Sequence, residues 1–313
     1  MESEHRRIEM RIPVDGGYEI AATLHRPAKV AAGAPLIVGL PGAGYARGYF
    51  DLPEPGYSQA EHLAARGTML LAIDHLGAGD SSIPPHDVTT LEAVAAAGDQ
   101  AVKQALANLR ADAITPGVVI GCGQSMGGHI AVAMQAWHRS FDAIVVLGSG
   151  MLRTNVPDRP GTPPPMIPEG AEGAEISAAL AAQVDWPWLF HWEGSAPDLV
   201  AADLACGMPV RHTASSWAST GIPGLAFNLT KPGKMLPLCA AIDVPVLVGM
   251  GERDVTLSPA EELATFTASG NLSAIRVGNM AHMHNFADTR MQLWRRIDAF
   301  VEQVAIDRGA APS

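Results

Sequence analysis

Gly117-Val-Val-Ile-Gly-Cys122-Gly123-Gln124-Ser125-Met126-Gly127-Gly128 is the stretch whose reading decides the fold. Its first half is a short apolar, β-branched run, and a helical pattern follows from Gly128 to Trp137, so Gly123-Gln-Ser-Met-Gly127 is a strand-to-helix turn. The glycines have a steric reason. In so tight a turn, a side chain two positions before or after the serine would collide with neighbouring backbone, and the serine itself must take a strained φ/ψ to point outward. The helix that starts there adds partial positive charge beside the exposed hydroxyl. Five residues alone are a weak match; the strand before and the helix after make it specific.

Outward from this turn the same alternation repeats. Nearly all-apolar runs at Pro35 to Leu40, Thr68 to Ile73, Phe141 to Leu147 and Val244 to Met250 read as parallel strands buried on both faces, with Ala274 to Val277 as a weaker one. Helical patterns fall between them at Tyr57 to Arg66, Leu91 to Arg110, Pro259 to Thr267 and Asp288 to Ala305. A hairpin, Arg6 to Val14 and Tyr18 to Leu24 around Asp15-Gly16-Gly17, opens the chain. The expected class is α/β, a mostly parallel sheet with helices on both faces.

Residues 150–238 break the rhythm. Pro157, Pro160, Pro163, Pro164, Pro165 and Pro168 crowd the start of this stretch and disfavour regular structure there. It reads as an inserted cap, leaving residues 1–149 and 239–313 as the core. Trp186, Trp188, Phe190, Trp192, Trp217 and Phe227 all fall inside it, although aromatics are only 5% of the chain. Trp186, Trp188, Trp192, Trp217 and Phe227 are therefore candidates for binding substrate, and a small core for the cap itself is an equal alternative.

Composition narrows the partners. A hydrophobic share of 48% with 17% charged residues supplies a large core, and the formal net charge of -11 is opposite to what a nucleic-acid partner needs. No apolar run approaches the roughly 18 residues of a membrane span, and the charged N-terminus lacks a signal-peptide core, so a cytoplasmic protein with no membrane partner is expected. Cys122, Cys206 and Cys239 form an odd set without metal-ligand spacing, which implies reduced thiols and no metal. The oligomeric state stays open, a homodimer included.

A serine hydroxyl is a poor nucleophile until a base takes its proton and an acid orients that base. Gly251-Glu252-Arg253-Asp254 follows one strand, and Gly278-Asn-Met-Ala-His282 follows the last, placing an acid and an imidazole on loops at carboxyl ends of the sheet. Asp254 and His282 are the candidates. Glu252 is a rival acid and His284 a rival base, although His284 is expected to face the helix that follows it.

Together these residues resemble the α/β-hydrolase superfamily over essentially the whole chain outside the cap. Asp74-His-Leu-Gly77-Ala-Gly79-Asp-Ser81 is similar to the family's D-x-x-G-x-G-x-S loop, which implies a structural Asp74. Leu40-Pro41-Gly42-Ala43-Gly44 stands where the family usually has His-Gly-x, with Pro41 in place of the histidine; the resemblance makes the backbone amides of Ala43 and Met126 the oxyanion donors. It implies a serine hydrolase that needs no cofactor and cleaves a small-molecule carboxylic ester through an acyl-enzyme. A carbon-carbon bond hydrolase and a non-catalytic ligand receptor of the same fold are the alternatives. Tyr49-Phe-Asp51-Leu-Pro53, the elbow, Phe141 to Gly148 and His282-Met-His284-Asn-Phe286 are also similar to bacterial esterases that include monoalkyl phthalate hydrolases. That likeness would require a cation for a substrate carboxylate, for which Arg47, Arg153 and Arg211 are candidates.

Overall fold

The computed structural model describes residues 5–161, 182–208, 210–229, 231–256 and 258–309, without the side chains of Phe227 and Asn228. Most of the Pro-rich entry, Pro163 to Pro168, therefore lies outside the described residues. The strands are β1 (His5–Val14), β2 (Tyr18–Pro27), β3 (Leu36–Leu40), β4 (Met69–Ile73), β5 (Val119–Gln124), β6 (Ala143–Leu147), β7 (Val246–Gly251) and β8 (Leu272–Val277). The helices are α1 (Gln59–Ala64), α2 (Leu91–Ala111), α3 (Met126–His138), α4 (Trp186–Phe190), α5 (Pro197–Ala205), α6 (Ala226–Leu229), α7 (Leu236–Ala240), α8 (Pro259–Leu263) and α9 (Arg290–Asp307).

All eight strands join one sheet in the order β1-β2-β4-β3-β5-β6-β7-β8. Only β1 with β2 and β2 with β4 run antiparallel; from β4 to β8 every pairing is parallel. The expected opening hairpin forms, with Val14 opposite Tyr18 across a one-turn 3-10 helix where Gly16 (φ 80°) and Gly17 (φ 75°) supply left-handed backbone. Its second strand runs three residues past the expected end, because Pro27 still pairs with His5.

Alternation along each strand divides the core between two faces. Leu36, Val38 and Leu40 of β3 pack on one side with Val94 and Val102 of α2 and Ile130 of α3. Ile37 faces the other side, with Leu63 of α1 and Ile297 and Val301 of α9. The parallel strands β3, β4, β6 and β7 are buried on both faces, which is why they read as unbroken apolar runs, whereas the edge strand β8 is only partly buried and reads more weakly. Side-chain caps fix several helix starts, among them α1, where Ser58 accepts from Glu61 N–H at 3.0 Å, and α2, where Thr90 accepts from Ala93 N–H at 3.2 Å.

Chain order sets the site's address. From β3 the chain moves outward to β4, then crosses back over β3 to reach β5 on its other side, so the loops after β3 and β5 part in opposite directions. Such a switch point opens a crevice at the carboxyl ends of those strands. Between β6 and β7 the described residues contain four helices, α4 to α7, and no strand of the sheet. Among the described residues no helix is long and apolar enough to cross a membrane.

The loop after β4 is closed around the buried Asp74. Its carboxylate accepts from the backbone amides of Arg47 at 2.6 Å and Asp80 at 2.8 Å and pairs with the Arg47 guanidinium. A Cβ on Gly79 (φ 57°) would lie 2.2 Å from that carboxyl group. Burial raises the Asp74 pKa above its ordinary value despite the arginine beside it. Asp74→Ala should therefore destabilise the fold by about 3 kcal/mol, since it strands a partly buried cation and two amides. An unchanged urea midpoint would contradict this account.

Candidate active site

Ser125 sits between β5 and α3 at φ 53° and ψ -121°, the strained conformation that the glycine spacing requires. The steric argument holds atom by atom. A Cβ at Gly123 would come 2.1 Å from Gly127 O, one at Gly127 1.9 Å from Leu40 O, and one at Gly128 2.1 Å from the Ser149 hydroxyl. Helix α3 starts at Met126, two residues before the helical pattern suggested, because the turn itself ends at Ser125. Its carbonyl is braced by the Ser149 hydroxyl at 2.7 Å, and its amide donates to Leu147 O at 2.7 Å.

The structure brings Ser125, His282 and Asp254 together from three separate loops. Ser125 Oγ lies 3.0 Å from His282 Nε2, and His282 Nδ1 lies 2.7 Å from Asp254 Oδ1. Both His282 and Asp254 are buried. Gly148, at the end of β6 with φ 54°, makes room for them: a Cβ there would lie 2.9 Å from Asp254 Oδ1 and 3.2 Å from His282 Nδ1. Gln124 donates through Nε2 to His282 O at 3.0 Å and so ties the elbow to the histidine loop.

His284 does not face the following helix, as its sequence position suggested. A 3-10 turn, His284–Phe286, swings its ring back so that Nε2 lies 2.7 Å from Asp254 Oδ2. It therefore shares the acid with His282 and does not reach Ser125 in its place. Glu252 is occupied elsewhere, accepting the Asn279 N–H at 2.9 Å in the turn before His282.

The carboxylate of Asp254 is saturated. Oδ1 also accepts from Val255 N–H and Oδ2 from Gly251 N–H, each at 2.8 Å. Burial alone would raise its pKa, but the interactions with His284 and His282, each ring hydrogen-bonded to one carboxylate oxygen, outweigh it and hold the carboxyl well below the usual range.

The β3 loop lies over the elbow: a Cβ on Gly42 would sit 2.5 Å from Gln124 Oε1 and 3.1 Å from Ser125 Cβ. Ala43 follows directly, and Met126 is the first residue of α3. Among the described residues neither backbone amide donates to a protein acceptor, so both are available to a ligand oxygen. Where the resemblance expects a histidine, the carbonyl of Pro41 accepts from Nε2 of the buried His75 at 2.8 Å. Burial lowers the His75 pKa to about 4, so the ring is a neutral donor that steadies the loop. The sequence analysis missed His75; its place inside the Asp74 to Ser81 loop, one sheet position from β3, was the available signal.

The aromatic candidates scatter. Phe190 comes closest to the imidazole, its ring centroid 5.3 Å from that of His282, with Trp186 edge-on to it at 5.5 Å. Trp188 and Trp192 instead sandwich the Arg253 guanidinium, at 4.2 and 4.5 Å, while Arg253 pairs with Glu193 at 3.0 Å. Trp217 is buried and donates through Nε1 to Asp203 Oδ1 at 2.9 Å. The Phe227 side chain lies outside the described residues.

Two of the three arginines proposed for a substrate carboxylate are engaged as well. Arg211 pairs with the wholly buried Asp203 at 3.0 Å, and Arg47 is held by Asp74, by Asp80 at 2.9 Å and by Glu9 at 3.2 Å. Arg153 is exposed. Asp203 also accepts from Tyr45 Oη at 2.8 Å and His191 Nε2 at 2.9 Å, joining α5 to the β3 loop.

A family model described as "Alpha/beta hydrolase family" matches residues 37–292. The chain belongs to the alpha/beta hydrolase family. Solved structures of the same fold include an esterase from a Rhodococcus species, at 18% identity over 96% of this chain and 99% of that one, with a TM-score of 0.62. A thermophilic esterase from Thermogutta terrifontis is similar at 18% identity, 96% and 99% coverage and a TM-score of 0.58. The peroxisomal alpha-beta-hydrolase of Saccharomyces cerevisiae aligns at 14% identity, 99% and 90% coverage and a TM-score of 0.60. At these identities the likeness is one of fold. A comparison with curated proteins finds no match.

The depressed Asp254 pKa has a consequence for stability. The folded state binds fewer protons than the unfolded chain just below the ordinary carboxylate pKa of about 3.9, so stability is present above that value and falls as the pH drops below it. The urea midpoint should decline between about pH 4 and pH 2, and Asp254→Asn should flatten that decline. Equal slopes for the two proteins would show that Asp254 titrates normally.

Proposed function

We propose that this hydrolase-family chain cleaves small, neutral carboxylic esters, with Ser125 as nucleophile, His282 as general base and Asp254 as its orienting acid. The observation that carries the reading is the unbroken line from Ser125 Oγ to His282 Nε2 at 3.0 Å and from His282 Nδ1 to Asp254 at 2.7 Å. With Nδ1–H donated to the ionised carboxylate, the Nε2 lone pair faces the hydroxyl, which is the tautomer a general base needs.

In the proposed cycle Ser125 Oγ attacks the ester carbonyl while its proton passes to His282 Nε2. The carbonyl oxygen takes the negative charge and is met by the amides of Ala43 and Met126. Collapse expels the alcohol, which receives the proton from His282. Water then attacks the acyl-enzyme by the same route, giving the acid and restoring the Ser125 hydroxyl. The described residues between β6 and β7 act as a cap over this centre, with Phe190 and Trp186 as the apolar wall nearest the imidazole.

Neutral esters are favoured over phthalate monoesters by charge. Arg47 and Arg211, two of the three cations offered for a substrate carboxylate, are neutralised by Asp74 and Asp203, and the third, Arg153, is exposed. Freeing either would leave a buried carboxylate unpaired, at a cost of several kcal/mol.

Ser125→Ala should lower kcat on a short p-nitrophenyl ester on the order of a millionfold while leaving the melting temperature within a few degrees. A fluorophosphonate probe should label the wild type and not the variant. Retained turnover in Ser125→Ala sinks the assignment of the nucleophile; labelling without ester turnover keeps the nucleophile and rejects the ester.

A further inference from the structure

Asp254 serves two imidazoles, and the proposed function uses only one. We propose that His284 is a positioning residue that sets the basicity of His282 by holding the second oxygen of their shared carboxylate as a neutral Nε2–H donor. The proposal rests on the assignment of Ser125, His282 and Asp254 to the reaction.

The tautomer follows from accounting for every polar atom. An ionised carboxylate offers about four lone-pair positions, and those of Asp254 are filled by His282 Nδ1, His284 Nε2, Val255 N–H and Gly251 N–H. His284 Nε2 must carry a proton, because the carboxylate opposite it is an acceptor. His284 Nδ1, by contrast, is buried and has no hydrogen-bond partner among the described residues. A buried N–H without an acceptor is costlier than an unused lone pair, so Nδ1 is unprotonated and the ring is neutral.

Other ionisable groups facing this pocket do not supply the effect. From the turn after β3, Tyr49 is buried and its phenol is pushed above its ordinary pKa; from β5, burial pushes the Cys122 thiol up to about 12. From the β6–β7 segment, His191 is bound to Asp203 at 2.9 Å, and Arg253, next to Asp254 in the chain, is paired with Glu193 at 3.0 Å. Among the described residues only His284 shares a carboxylate with the base.

The sign of the effect is fixed by competition. Each donor that stabilises the Asp254 charge lessens what remains for stabilising the His282 imidazolium. With His284 in place, part of the Asp254 charge is taken up by a second donor and less remains for an imidazolium at His282. Without the donor, the carboxylate binds the imidazolium more strongly, and the acid limb of the rate profile moves up.

Three measurements on the full-length protein decide the matter. His284→Phe, which removes the donor and keeps a ring, should shift the acid limb of kcat/KM on a short p-nitrophenyl ester upward by about half a unit to one unit. That is about three- to tenfold lower kcat/KM below the limb, with little change on the plateau. His284→Gln, whose amide can still donate to Oδ2, should restore the wild-type limb. A His284→Phe protein that folds with an unshifted limb, or an equal shift in both variants, refutes the tuning role. If His284→Phe does not fold, the wild type still answers: nitrogen-15 resonances of a neutral Nε2–H ring at His284 at neutral pH support the proposal, and an imidazolium pattern overturns it. Failure of the underlying site would look different, as ester turnover surviving Ser125→Ala.

Discussion

The burial of one negative charge organises this site. Asp254 lies at the carboxyl edge of the sheet with almost no exposure, and no lysine or arginine contacts its carboxylate in the described structure. An ion so placed persists only if hydrogen bonds replace its water. Four donors do so: two imidazoles and the amides of Gly251 and Val255, the latter pair provided by the backbone of its own loop. The cost is carried by the neighbours. Gly148 must lack a side chain, a 3-10 turn must return His284 to the acid, and the loop after β8 must place His282 against both the carboxylate and Ser125.

Those demands sort what was legible in the sequence from what was not. The elbow could be read because its glycines answer to local sterics, as the close approaches at Gly123 and Gly127 show. The strands could be read because burial on both faces leaves unbroken apolar runs. Asp254 and His282 could be placed because a loop after a strand has only one edge of the sheet to occupy. His284 could not, because two residues of spacing fix its direction only once the turn from His284 to Phe286 is known. The roles of Trp188 and Trp192 were hidden for a different reason: their partner, Arg253, comes from the far side of a strand crossing. Asp203 left a trace, a carboxylate within the otherwise apolar Leu199-Val-Ala-Ala-Asp-Leu-Ala205, but its four partners lie in three other segments.

The segment between β6 and β7 touches both halves of the proposed chemistry. On the oxyanion side, Ala46 N–H donates to Trp217 O at 2.9 Å and Ser219 N–H to Gly44 O at 3.0 Å, while Tyr45 reaches Asp203. A Cβ at Gly48 would lie 1.9 Å from Ser216 O, so the approach is as close as backbone permits. On the base side, His282 N–H donates to Leu189 O at 3.1 Å and Met283 N–H to Phe190 O at 2.9 Å.

These contacts argue against treating the segment as a detachable cover. Leu189 and Phe190 belong to α4, whose carbonyls hold the histidine loop directly, and Trp188 in the same helix stacks on the residue next to Asp254. Displacing α4 as a unit would release two amides beside the base and uncover the Arg253 stack at once, and displacing 216–219 would free the β3 loop. A sequence change in either stretch therefore acts on the positions of His282 or Ala43. On the proposed reading, selectivity and rate are coupled, because the main-chain bonds of this segment hold the loops that carry His282 and Ala43.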